Sequence, residues 1–368
     1  MNILSVSLDR KVFEEGSAVR SRLLEYGRLA DELRIIVFAK RSAGVSAQSF
    51  PPNIFLYPTN ARTRFGYIPA ALRQVVTLKK QGVHVDVVTA QDPFETGLTA
   101  FLIARILGAK LHLQIHTDFL SPHFARESFI NRARVVLAKF LLPRAHAVRV
   151  VSARIKQSIE GLVRREVMVT VLPILVDVER LQNTPVVRDI KKEYPQFSTH
   201  FLMASRLSVE KNIPLAFEAF CEVLEKYPRA GLVVVGSGPE EPWIQSLVQA
   251  HNLSRNVVLL PWKDDVVSYM KTADAFLLTS NYEGYGMTIV EALVVGRPVI
   301  STDVGCAREV IQGGVNGFVV PVGDASALTD VLLKVAAHEI KFKQKPPALL
   351  TKAEYLALYK KSWEDALR

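Results

Sequence analysis

Cysteine is nearly absent. Cys221 and Cys306 are the only two, too few for a disulfide framework, and no Cys/His set has zinc spacing, so a reducing cytoplasmic setting is expected. Long apolar runs are missing as well: no stretch approaches the ~18 uncharged apolar residues that a spanning helix needs. The apolar run Met1–Ser7 has no basic residues ahead of it, and Asp9, Arg10 and Lys11 follow it at once, which is unlike a secretory leader. The first turn, "SVSLDRKVFEEGS", lacks Gly-x-Gly-x-x-Gly, which excludes a dinucleotide-dependent dehydrogenase built in the usual way. Low-complexity segments and short-period repeats are also absent.

What remains is an ordinary well-packed composition, 49% hydrophobic and 22% charged, over 368 residues. That length exceeds what one core supports and predicts two domains of about 180 residues each. The net charge of +10 is unevenly placed: residues 1–180 hold 26 Lys and Arg against 15 Asp and Glu, and the remainder holds 20 against 21. Residues 121–165 carry ten basic residues and two acidic ones. Within them Phe129, Ile130, Ala133, Val136, Leu137, Phe140 and Leu141 recur at helical spacing beside Arg126, Arg132, Arg134 and Lys139, which is a basic amphipathic helix. Such a helix is either a core helix with a solvated face or one that meets an anionic surface such as lipid head groups. Nucleic acid is not expected, because interleaved aromatics and a recognition motif are both missing.

Short β-branched runs alternate with longer amphipathic ones, which predicts parallel sheets covered by helices. The first series of strands is Asn2–Ser7, Arg34–Ala39, Asn53–Tyr57, His84–Thr89, Leu111–Ile115 and Ala147–Val151, with helices at Ser17–Ala30, Pro69–Gln81, Phe94–Leu107 and Ser128–Leu141. A second series runs His200–Ala204, Leu232–Val235, Val257–Leu260, Ala275–Thr279, Pro298–Thr302 and Gly317–Val320. The expected class is therefore α/β, with two Rossmann-like domains facing across a cleft: 1–175, a linker at 176–198, then 199–345, and a last helix within 346–368 that packs back on the first domain. Open parallel sheets bind ligands beyond the carboxyl ends of their strands, so the loops that follow strands are the ones to read.

Four of those loops carry chemistry. "SRLSVEKNIPLAF" places Arg206 and Lys211 five apart ahead of a helix, where a forked donor and a point charge suit one diphosphate. "VVVGSGP" brings Gly236, which permits close approach of backbone to a ligand, and Gly16 at the first strand-to-helix junction has the same capacity. "NYEGYGMTIVEALVVGRPVIST" has Glu283 in a loop and Glu291 inside an apolar helix that begins near Gly286. A carboxylate buried without a partner costs several kcal/mol. Glu291 lies about 7 Å along the axis from the free amides of the helix start, the distance from a diphosphate to a ribose whose hydroxyls a carboxylate accepts.

These stretches, with "ASRLSVEKN" ahead and "GRPVISTDVGCAREVIQGGVNGFVV" behind, resemble the retaining glycosyltransferases of family four, which have the GT-B fold. The likeness runs through nearly the whole chain and is strongest from Phe201 to Val322; "TAQDPFETGLTAFLIARILGAKLHLQIHTD" and "RVVSARIKQSI" resemble the family's first domain. The resemblance implies that Arg206 and Lys211 hold the donor diphosphate and Glu291 the ribose. It also implies that Glu283 and His116 act at the donor sugar, while Gly284, Tyr285, Gly286, Met287 and Thr288 cradle sugar and phosphate. Gly16 would lie beneath the phosphate, and the base beside Trp262. Gly16 stands alone where a paired glycine is common, Gly305-Cys306 replaces Gly-Gly, and Pro261 occupies a frequent glycine position.

No two aspartates sit two positions apart, so the Asp-x-Asp metal grip of other glycosyltransferases is missing and neither metal nor cofactor is expected. The implied partners are a nucleotide-diphosphate sugar and a glycan or polyprenyl-linked acceptor, with cytoplasmic placement, peripheral to the inner membrane face through residues 121–165. A nucleotide-sugar 2-epimerase of the same fold and a non-catalytic nucleotide-sugar-binding protein are the alternatives.

Overall fold

A run such as "AGLVVV" is apolar on both faces and β-branched, the pattern of parallel strands covered by helices on both sides. In the computed structural model, which describes residues 1–368, the chain folds into two compact units: Met1–Pro173 with Leu350–Arg368, and Ile174–Leu349.

The first unit holds β1 (Asn2–Ser7), β2 (Glu32–Val37), β3 (Gln48–Phe50), β4 (Ile54–Pro58), β5 (Val87–Ala90), β6 (Lys110–Ile115), β7 (Ala147–Val150) and β8 (Met168–Val171). Their order is β3-β4-β2-β1-β5-β6-β7-β8, parallel throughout except for β3, which runs antiparallel to β4. β3 and β8 are the two strands that the sequence pattern does not announce. β3 has three residues and no apolar run, and β8 is a sheet edge with Met168 exposed. The helix Lys352–Glu364 belongs to this unit. A capping box between Thr351 and Glu354 starts it, and it buries Tyr355, Tyr359 and Trp363. Arg149 of β7, wholly buried, donates to Tyr355 Oη at 3.1 Å, to Leu172 O at 3.3 Å and to Gln114 Oε1 at 2.8 Å, and lies 4.8 Å from the Tyr359 ring. Hydrogen bonds from its two terminal nitrogens and the aromatic face hold this cation inside the unit, while its Nε is buried without a partner.

The second unit holds β9 (Thr199–Ala204), β10 (Ala230–Val235), β11 (Val257–Leu260), β12 (Ala275–Leu278), β13 (Val299–Thr302) and β14 (Gly317–Val320), all parallel in the order β11-β10-β9-β12-β13-β14. Alternate residues of β9 feed two cores: Phe201 and Met203 pack with Phe217, Phe220 and Leu232, whereas Leu202 and Ala204 pack with Val233, Phe276 and Ile289. Strand order reverses between β9 and β12. The crevice of such a sheet lies at that switch, outside the carboxyl ends.

Residues 176–198, expected as a linker, are structured within this unit. Asp177 and Asp189 cap short helices, Val178–Asn183 and Ile190–Glu193, whose Leu181 and Ile190 are buried. The expected linker was inferred from prolines and mixed charge, but the aspartates that contribute to that charge cap helices.

Candidate functional site

The loops that leave β9 and β12 meet at the switch and are bonded to each other. Asn281 N donates to Glu210 O at 2.7 Å, Thr279 Oγ1 to Lys211 O at 3.0 Å and Asn212 Nδ2 to Asn281 Oδ1 at 3.0 Å. Asn212 has φ 43°, a left-handed corner that turns the chain into the helix Ile213–Lys226. Lys211 Nζ reaches Glu283 Oε1 at 2.6 Å, and the Ser280 hydroxyl donates to the same oxygen at 2.8 Å. Both members of this ion pair are largely buried, and each group has its partner.

Arg206 is placed differently. Its guanidinium is exposed and donates to Glu210 Oε1 at 2.7 Å and to Ser208 Oγ at 3.3 Å. The two cations expected on one diphosphate are each engaged by a carboxylate of their own. Glu210 was not among the residues read from the sequence, although its four-residue spacing from Arg206 was visible. Hydrogen bonds from Ser208 and Arg206 outweigh burial and hold the Glu210 carboxyl below its usual range.

Two further loops pack against these segments. Gly236 and Gly238 follow β10 where the chain of residues 205–207 passes directly overhead. A Cβ at either would fall 1.9 Å from Ser205 O or 2.1 Å from Leu207 O. Close backbone approach therefore requires both glycines. Beside them Trp262 is exposed, its amide donating to Ser237 Oγ at 3.2 Å. After β13, Cys306 N donates to Tyr285 O at 2.8 Å, which ties Gly305-Cys306 to the Glu283–Tyr285 segment. Tyr285 is buried, and burial pushes its hydroxyl pKa up.

The helix Met287–Val294 starts from Gly286 at φ 89° with no side-chain cap, so its first amides, at Met287 and Thr288, carry no capping bond. One turn further on, Glu291 is half-buried and its carboxylate makes no hydrogen bond. Burial raises its pKa, opposed by the charge of Arg180 from the helix Val178–Asn183. Arg180 lay in the segment read as a linker and was missed for that reason. The structure thus gathers Arg206, Lys211, Gly236, Trp262, Glu283, the Gly284–Thr288 stretch and Glu291 along the carboxyl edge of the second unit.

His116 and Gly16 belong to the first unit. Gly16 sits beyond β1 at φ 74°, with no atom within 4 Å of the position a Cβ would take, and Ser17 caps the following helix by accepting from Arg20 N. His116 directly follows β6, its Nε2 3.4 Å from Gln114 Oε1. Burial, then the charges of Arg149 and Arg22, push it down to about 3, so the ring is neutral at physiological pH.

Comparison with known proteins follows this division. Residues 26–180 match Glycosyltransferase Family 4, and residues 189–346 match Glycosyl transferases group 1. The chain belongs to glycosyltransferase family 4, with the GT-B fold, and is an enzyme of that class. It is similar to N-acetyl-alpha-D-glucosaminyl L-malate synthase of Bacillus anthracis, 25% identical over 78% of this chain and 76% of that one. It is also similar to the UDP-Gal:alpha-D-GlcNAc-diphosphoundecaprenol alpha-1,3-galactosyltransferase of Escherichia coli, 28% identical over 47% of this chain and 46% of the relative, so it matches less than half of that protein. Among solved structures, HepE of Anabaena in complex with UDP superposes with a TM-score of 0.68 at 19% identity, covering 100% of this chain and 94% of the other.

Proposed function

We propose that the enzyme transfers a sugar from a nucleoside-diphosphate sugar to a glycan or lipid-linked acceptor with retention at the anomeric carbon, its diphosphate charge neutralised by side chains instead of a metal. The observation that carries the reading is the bonded pair Lys211–Glu283 beside an uncapped helix start and an unpartnered Glu291. In this reading the donor diphosphate takes Arg206 from Glu210, lies against Lys211 and meets the amides of Met287 and Thr288, while the ribose hydroxyls donate to Glu291.

Transfer breaks the bond between the anomeric carbon and the β-phosphate oxygen and forms one to the acceptor oxygen on the same face. The acceptor's proton passes to the departing phosphate oxygen, whose charge Arg206 and Lys211 stabilise. Glu283 is better suited to position the sugar than to attack it, because its Oε1 already accepts from both Lys211 and Ser280. The acceptor class finds support in the diphosphoundecaprenol-linked substrate named for the E. coli relative.

A thermal-shift screen over UDP-, GDP- and ADP-sugars, with and without a chelator, tests the donor site. The matching donor at a hundred times its Kd adds ~2.7 kcal/mol of stability, unchanged by the chelator, and Lys211→Ala loses most of it. If no nucleotide sugar shifts the transition, the reading fails; if the chelator abolishes the shift, the metal-free part fails.

A further inference from the structure

The helix Phe129–Leu141 is built inside out for a protein surrounded by water. At 100° per residue, Phe129, Ala133, Val136 and Phe140 form one stripe with Ile130 beside it, and the structure turns that stripe outward. Phe129 is 83% exposed, Val136 69%, Ile130 63% and Phe140 44%. The face packed against the unit holds Asn131, Ala138 and Leu141. Single exposed apolar residues are ordinary, but a contiguous stripe of aromatic and aliphatic side chains marks a binding surface.

Basic groups flank the stripe. Arg126, Arg132, Lys139 and Arg144 are exposed around it. The Arg132 guanidinium lies 5.1 Å from the Phe129 ring and that of Arg144 3.8 Å from the Phe140 ring, so each charged head runs along an aromatic that would enter the apolar phase. Arg134 is turned the other way, to Glu95 at 3.0 Å, and Glu127 receives a bond from Asn131 at 3.2 Å. An apolar centre with a cationic border is the signature of a helix lying in the plane of an anionic bilayer.

We propose that this face docks on an anionic phospholipid surface, Phe129, Val136 and Phe140 inserting among the acyl chains and Arg126, Arg132, Lys139 and Arg144 meeting the head groups. A second copy of the chain is a poorer occupant, since a two-fold contact would set these cations against their own images. The inference rests on the first unit alone, and vesicle binding needs no sugar nucleotide, so it stands or falls separately from the donor reading.

Flotation with phosphatidylcholine vesicles and with mixed phosphatidylcholine–phosphatidylglycerol vesicles tests it on the full chain. The wild type should partition at least roughly tenfold more strongly onto the mixed vesicles at low salt, and the preference should fade as salt rises. Phe129→Ser with Val136→Ser should lower partition at least about tenfold with an unchanged Tm, because both side chains are solvent-facing. Arg132→Gln with Lys139→Gln should lose most of the anionic preference. Absence of vesicle binding in the wild type overturns the proposal, as does a serine variant that binds as well as wild type. A dimer that the serine variant dissolves would also overturn it, in favour of self-association.

Discussion

Glu291 shows how a single carboxylate can cost stability in the free protein and serve a bound ligand. Half-buried and without a hydrogen bond, its charged form is disfavoured by the fold, which is why its pKa rises. The sign follows by linkage. Between the ordinary glutamate value and the raised one, the folded chain holds a proton that the unfolded chain has lost, so stability falls as pH rises through that window and the cost is complete above it. Glu291→Gln should therefore raise the Tm of the ligand-free protein at neutral pH while removing most of the ~2.7 kcal/mol that saturating donor adds. Wild-type donor affinity should in turn weaken on acidification at a higher pH than an ordinary glutamate would produce. A variant whose free Tm is unchanged and whose donor shift is intact would show that the carboxylate faces nothing of consequence.

At the scale of elements, the candidate site is a set of loops held by one another's backbones, and Gly305 is the tight point that bears on Glu283. It sits at φ 52°, and a Cβ there would fall 2.3 Å from Tyr285 O and 3.1 Å from Glu283 Cβ. Gly305→Ala should displace the Glu283 segment and cut kcat on the order of 10²-fold, the usual cost of a misplacement near 1 Å. Gly314→Ala is the control, since its φ of 73° imposes similar backbone strain with no atom within 4 Å of the added methyl. Equal kcat in the two variants would refute the lacing argument. Elements with strong periodicity were readable in the sequence, β1 and β11 to the residue, because parallel strands covered by helices are apolar runs bounded by turns. β3 and β8 were not, because a three-residue edge and a half-exposed edge leave no such trace. Within the site, Glu291 announces itself as an acid among apolar neighbours and Glu283 as an acid in a glycine-bearing loop after a strand. Glu210, Ser280 and Arg180 matter through partners that folding brings to them, and sequence spacing does not reveal who those partners are.

The whole molecule is two separately cored units with unequal acid sensitivity. In the first unit His112 is fully buried, its Nδ1 2.8 Å from Thr89 Oγ1, and burial followed by the charge of Arg149 pushes it down to about 3; His116 is pushed to the same range. In the unfolded chain both titrate near 6.5. Between those values the unfolded state binds protons that the folded state refuses, so stability is complete above pH ~6.5 and drains as pH falls toward 3. Each histidine removes ~2 kcal/mol between pH 6.5 and 5. Asp92 and Asp118, raised by burial, act in the opposite direction. In the second unit the Asp274 carboxyl is held down to about 2 by His200 and Lys191 against the effect of burial, which keeps its contribution until pH falls below the ordinary aspartate value. Trp363 is buried in the first unit, so with Trp243→Phe and Trp262→Phe its fluorescence reports that unit alone. Urea unfolding followed by Trp363 should lose ~4 kcal/mol between pH 6.5 and 5, and His112→Gln should halve the loss. A Trp363 transition that does not move across that range would mean that the two imidazoles are charged in the folded state.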